Sequence, residues 1–120
     1  MARSCPSLVN YSDKYLFITG GRNSKFPYEN YNSVDYYKIS DNTWTKAPDL
    51  KIARESHSSC TLSDKIYVFC GIVSGDCIDS IESLTITGSE IKTEWQLIEP
   101  TVLNYGYLRA RSKALTVQLN

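Results

Sequence analysis

Short apolar runs broken by turn residues fill this chain from end to end. In the first fifty residues Val, Ile, Thr, Tyr and Phe gather at 6–11, 15–19, 33–39 and 43–46, each run bounded by Gly, Ser, Asn or Asp. Such residues suit a pleated, half-buried surface, and runs of this length between turn signals predict β-strands. The pattern recurs at 56–62, 66–70, 80–86 and 93–98, and the stretch 111–119 resembles one more first strand. No long window carries apolar residues at helical spacing, so an all-β chain of about nine strands is expected.

The runs repeat as a unit. SDKYLFITGG from Ser12 lies over SDKIYVFCGI from Ser63 at an offset of 51 residues, which Arg3 and Arg54, Gly20 and Gly71, and Trp44 and Trp95 share. NSVDYYKI from Asn32 matches DSIESLTI from Asp79 at an offset of 47, so the register slips within loops and recovers. Three parts follow: a repeat over 1–50, a second over 51–100, and a connection with a lone strand over 101–120. A four-stranded repeat near 50 residues predicts a blade of a β-propeller.

The spaced residues bring a family into view. An arginine before strand one, an apolar strand ending in two glycines, then a tyrosine and a tryptophan resemble the kelch repeat. Arg3, Gly20, Gly21, Tyr37 and Trp44 carry the pattern in the first copy. Arg54, Gly71 and Trp95 carry it in the second, with Ile72 at the second glycine slot and Leu84 at the tyrosine slot. The resemblance implies incomplete propeller architecture, two four-stranded antiparallel blades plus the first strand of a third. The glycines are expected to allow positive φ or to let a neighbouring blade's aromatic side chain approach the backbone. The tryptophans are expected to fill the seams between blades, each indole N–H finding a partner.

A closed propeller takes at least four blades, about 200 residues at this repeat length. Two blades leave two apolar faces uncovered, so a fragment of a larger propeller or a truncated product is expected. Self-association through the open blade edges is expected as well.

Charge and chemistry narrow the function. Lys and Arg total 13 and so do Asp and Glu, giving no basic excess for nucleic acid or anionic lipid. With no 18-residue apolar run and no apolar stretch of signal-peptide length at the start, neither a membrane span nor a secretory leader is expected. The expected setting is intracellular and cytoplasmic, with Cys5, Cys60, Cys70 and Cys77 reduced. Those cysteines lack metal-ligand spacing, so no metal or other cofactor is expected. His57 is the sole histidine and is read as a satisfied structural residue at a strand-one position. Some propellers of this kind resemble copper oxidases, which need two histidines and a cysteine-modified tyrosine, and one histidine cannot supply that site.

A binding role therefore stands ahead of an oxidase-like enzyme or a non-functional truncated remnant, and the chain is read as no enzyme. In an up-and-down blade the two-to-three loops and the inter-blade connections share one face. That face carries the long segments, and loops of this kind concentrate function. The first holds Arg22, Asn23, Lys25, Phe26, Tyr28 and Tyr31, in which Arg and Tyr are favoured at interface hot spots. Phe26 and Tyr28 either face a protein partner or pack the loop onto its own blade. The kelch resemblance implies partner binding on this same face.

Overall fold

The structure is a computed structural model and describes residues 2–98. Among the described residues it contains two large sheets and one small two-stranded sheet, and every strand pairing is antiparallel. The first is β1 (Ser7–Tyr11), β2 (Tyr15–Thr19), β3 (Val34–Lys38) and β4 (Thr43–Ala47), in that spatial order. In the second, β5 (Ser58–Leu62), β6 (Lys65–Phe69), β9 (Ile81–Thr87) and β11 (Gln96–Ile98) repeat the meander.

Three short strands lie where loops were expected. β7 (Ile72–Val73) and β8 (Asp76–Cys77) form a small hairpin in the two-to-three loop of the second blade, turning at Gly75 with φ +85°. β10 (Glu90–Ile91) folds back on β9 through a turn at Gly88 with φ +63°, so the fourth strand of that blade begins only at Gln96. The expected strand over 111–119 and the connection before it lie outside the described residues. Among the described residues no helix is long and apolar enough to cross a membrane.

Alternation along the strands makes the core. Val9, Tyr11, Tyr15, Phe17 and Val34 are buried on one face of the first sheet and join Ile66, Val68, Leu84, Ile86 and Trp95 of the second in a single cluster. The core is thus the seam between two blades rather than the interior of either. Full burial of a side chain such as Phe17 or Leu84 is worth about 1.5–3 kcal/mol. The seam also carries directional bonds. Tyr11 donates its hydroxyl to the Ile86 carbonyl at 3.2 Å, and the Trp95 indole N–H donates to the Pro48 carbonyl at 2.9 Å.

Each blade is stapled by its arginine. Arg3 donates to the carbonyls of Gly20 and Ser33 and to the Asp35 carboxylate, at 3.0, 2.9 and 2.6 Å. Arg54 donates to the carbonyls of Cys70 and Ser80 and to Glu82, at 3.1, 2.9 and 2.9 Å. A fork of fixed donors thereby satisfies carbonyls where strands two and three part.

These matched bonds correct the glycine assignment. Cys70 has φ +62° against +61° at Gly20, and Gly71 has +102° against +104° at Gly21. Cys70, not Gly71, occupies the first glycine slot, and Gly71 occupies the second, which had been given to Ile72. The cause is a hairpin turn one residue shorter: Tyr11 pairs with Tyr15, whereas Leu62 pairs with Lys65. The expected approach of a neighbouring blade's ring is found at Gly20, where a Cβ would stand 2.8 Å from His57 Cε1, while carbonyl oxygens stand over Gly21 and Gly71. A Cβ at Gly21 would stand 2.8 Å from the Ser4 carbonyl, and one at Gly71 would stand 2.7 Å from the Glu55 carbonyl.

The two tryptophans diverge. Trp95 is fully buried at the seam as expected, while Trp44, at the corresponding place, is 60% exposed, its ring centroid 5.3 Å from that of Tyr37. Trp44 lies on the side of the first blade facing away from the second, and no described element covers it. His57 is buried between the blades, its Nε2 2.7 Å from Thr19 Oγ1. Its Nδ1 has no hydrogen-bond partner, so the histidine is half satisfied rather than satisfied.

Candidate functional site

The long-loop face is built from the segment between β2 and β3, the connection between β4 and β5, and the β7–β8 hairpin. The first segment does not wander. Its base is sewn to the chain start, Ser4 and Arg22 exchanging backbone bonds at 2.8 and 2.9 Å. Tyr31 closes the base, its N–H donating to the Gly21 carbonyl at 2.8 Å and its carbonyl accepting from the Arg54 N–H at 3.2 Å.

Asn23 folds the tip. Its side-chain carbonyl accepts the Glu29 N–H at 2.8 Å and its amide donates to the Pro27 carbonyl at 3.2 Å. Asparagine does this well because one short side chain offers both a donor and an acceptor to nearby backbone. Asn23 therefore braces the loop from within.

Arg22 is the hub. Its guanidinium carbon lies 3.8 Å from the centre of the Tyr28 ring, inside cation–π range. Its Nε sits 3.4 Å from Glu55 Oε2, and Nη1 donates to the Asn23 carbonyl at 2.9 Å. Phe26 meets Tyr28 edge-on with centroids 5.8 Å apart, across a cis Phe26–Pro27 peptide. Phe26 is 83% exposed and Tyr28 53% exposed, so neither packs the loop onto its blade. Lys25 projects beside them into solvent. The residues singled out in the sequence thus divide: Phe26, Tyr28 and Lys25 present a surface, Arg22 supports it, and Asn23 and Tyr31 hold the frame.

Two further residues belong to the site. Asn30 donates its amide to Glu55 Oε2 at 2.9 Å and accepts the Ser74 N–H at 2.8 Å. Glu55, in turn, exchanges backbone bonds with Ile72 at 3.0 and 2.9 Å. The loop of the first blade, the inter-blade connection and the hairpin of the second blade are tied into one platform. Sequence reasoning missed both residues. The available signal was an acid directly after the motif arginine, facing a loop of amide and aromatic residues.

The opposite face is plain by comparison. Its turns are short, with Lys14 exposed and Lys65 donating to Thr85 Oγ1 at 2.7 Å as the first residue of β6. Among the described residues no cluster of His, Cys, Asp and Glu is placed to hold a metal ion. Burial pushes the Cys60 thiol up to about 11, so it stays protonated at neutral pH.

Two arginine-stapled, four-stranded antiparallel meanders packed face to face are blades of the β-propeller class. Residues 3–51 match the Kelch motif, which covers the whole first blade. The first blade is therefore a kelch repeat. The second blade lies outside that match but repeats the staple, with Arg54 and Glu82 in place of Arg3 and Asp35. No curated protein matches the chain in sequence.

Proposed function

We propose that this chain acts by binding a protein partner on its long-loop face, as an interaction scaffold rather than a catalyst. One observation carries the reading: an exposed aromatic pair, Phe26 and Tyr28, stands on a support that is already fully bonded. Aromatic side chains bring large contact area, and a frame ordered beforehand loses little entropy on binding. The kelch motif fits an interaction module, and the balanced charge offers no special attraction to nucleic acid.

The test is capture of a partner from cell extract, followed by affinity measurement with the identified protein. Phe26→Ala and the Arg22→Ala/Tyr28→Ala double variant should each weaken binding at least about tenfold, equivalent to 1.4 kcal/mol. Lys14→Ala/Lys65→Ala, on the opposite face, should leave affinity unchanged. A larger loss from the lysine pair would place the binding surface on the wrong side of the molecule.

A further inference from the structure

Tyr28 stands apart from the other described tyrosines. Tyr11 and Tyr15 are buried in the seam, and Tyr31, Tyr36, Tyr37 and Tyr67 are half-buried. Among them Tyr28 alone is exposed, in the loop between β2 and β3. Tyr11 and Tyr37 spend their hydroxyls on the Ile86 carbonyl and on Asn42 Oδ1. The Tyr28 hydroxyl donates to no described residue and stands in solvent.

The groups around that hydroxyl suit an anion. Arg22 lies over the Tyr28 ring, its guanidinium carbon 3.8 Å from the centroid. Its Nε faces Glu55 at 3.4 Å and its Nη1 donates to the Asn23 carbonyl, while Nη2 has no acceptor among the described residues. Lys38, Lys46, Lys51 and Lys92 each have a carboxylate within ion-pair distance. Lys25, exposed in the same loop as Tyr28, has none among the described residues. A guanidinium with a spare donor and an unpaired ammonium therefore share a short loop with one solvent-facing hydroxyl. Two acids are also near. Glu55 is already engaged by Arg22 and Asn30, and Glu29 is exposed, where salt and water screen its repulsion.

We propose that Tyr28 is a phosphorylation site for a tyrosine kinase, and that Arg22 and Lys25 hold the product. The γ-phosphoryl group of a nucleoside triphosphate passes to Tyr28 Oη. The Oη–P bond forms as the bond to the β-phosphate oxygen breaks, the phenolic proton leaves to the kinase's base, and a nucleoside diphosphate departs. The product carries about −1.5 to −2 charges and three strong acceptor oxygens. A guanidinium meets such a group with its planar fork, and an ammonium adds a point charge. The exposed end of the aromatic pair thereby becomes an anion. The regulatory consequence, which rests on the partner-binding reading above, is that an apolar partner surface fitting Phe26 and Tyr28 is rejected once the phosphate is in place.

The full chain is treated with a broad-specificity tyrosine kinase and ATP, under conditions that modify the free 22–31 peptide. Mass spectrometry of proteolytic fragments then locates the phosphate. Tyr28 should be the main site within residues 2–98, and Tyr28→Phe should remove it. Phosphorus NMR reads how the phosphate is held. Its second pKa, ordinarily about 6, should lie at least about half a unit lower in the folded chain than in the phosphorylated 22–31 peptide. Arg22→Ala should abolish that shift, and Lys25→Ala, at an exposed position, should reduce it. Absence of phosphate at Tyr28 would overturn the proposal. So would a phosphate that titrates alike in the peptide, the folded chain and the two variants. Neither readout involves a partner, so failure here leaves the binding reading standing, and failure of that reading leaves this site intact.

Discussion

Acidification should weaken this fold through a single side chain, His57. The imidazole is 7% exposed, and a Cβ placed on Gly71 would lie 2.8 Å from its Cβ, which shows how closely backbone packs around it. Its Nε2 meets Thr19 Oγ1 at 2.7 Å, while Nδ1 has no acceptor that would welcome a second proton. Burial, and secondarily the positive charge of Arg54, push its pKa down from 6.5 to about 3. The unfolded chain therefore takes up the proton first as the pH falls. The stability linked to this group is complete above about 6.5 and is lost steadily down to about 3. Each pH unit in that window costs about 1.4 kcal/mol, so about 2–3 kcal/mol is gone at pH 4.5. Against a typical total of about 5–15 kcal/mol, that is a large share. Urea unfolding at pH 7, 5.5 and 4.5, followed by tryptophan fluorescence, measures it directly. His57→Gln removes the titration while keeping a group able to bond Thr19, so the native-minus-variant difference excludes the carboxylates. The same pH slope in both proteins would refute the reasoning.

Other perturbations separate parts of the fold. Gly71→Val should cost about 2–4 kcal/mol, because it combines a positive φ with a Cβ 2.7 Å from the Glu55 carbonyl. Gly75→Ala, with open space around it, should cost only about 1 kcal/mol, and thermal melts of the two variants decide between them. Glu82→Ala should cost about 3–5 kcal/mol by stranding the buried Arg54 charge, and Asp35→Ala, in the solvent-open staple, should cost less in the same denaturant assay. Far-ultraviolet circular dichroism should show β-structure without a helical signal, as the strand order requires.

The strands were readable because alternation survives in short segments: Tyr15, Phe17 and Thr19 are buried, with Leu16 and Ile18 between them half-buried. The arginine staple was readable as a repeated residue, though its carbonyl partners were not. The glycine slots went astray because one offset was carried across a turn that had lost a residue, and only hydrogen bonding reveals that loss. Trp44 and Trp95 could not be told apart, since burial there depends on what packs against the blade and not on the local sequence. At the candidate site, Arg22, Phe26 and Tyr28 followed from residue type and loop length. Asn30 and Glu55 did not, because their roles depend on Ser74 and Ile72, brought close only when the two blades meet.

The seam between the blades also fixes their vertical setting. Apolar surfaces alone can slide past each other at little cost, as burial is nondirectional. Here the slide is blocked at separate heights: Ser7 and Ser59 share a hydroxyl bond of 2.5 Å, Thr19 meets His57, Tyr11 reaches the Ile86 carbonyl, and Trp95 holds Pro48. A shift by one strand step would break all four and leave polar atoms stranded in a dry interface. Blades are thus not interchangeable parts that any greasy neighbour can replace. A chimera that swaps one of them will assemble in register only if the donor blade brings its half of these four contacts along with its apolar face.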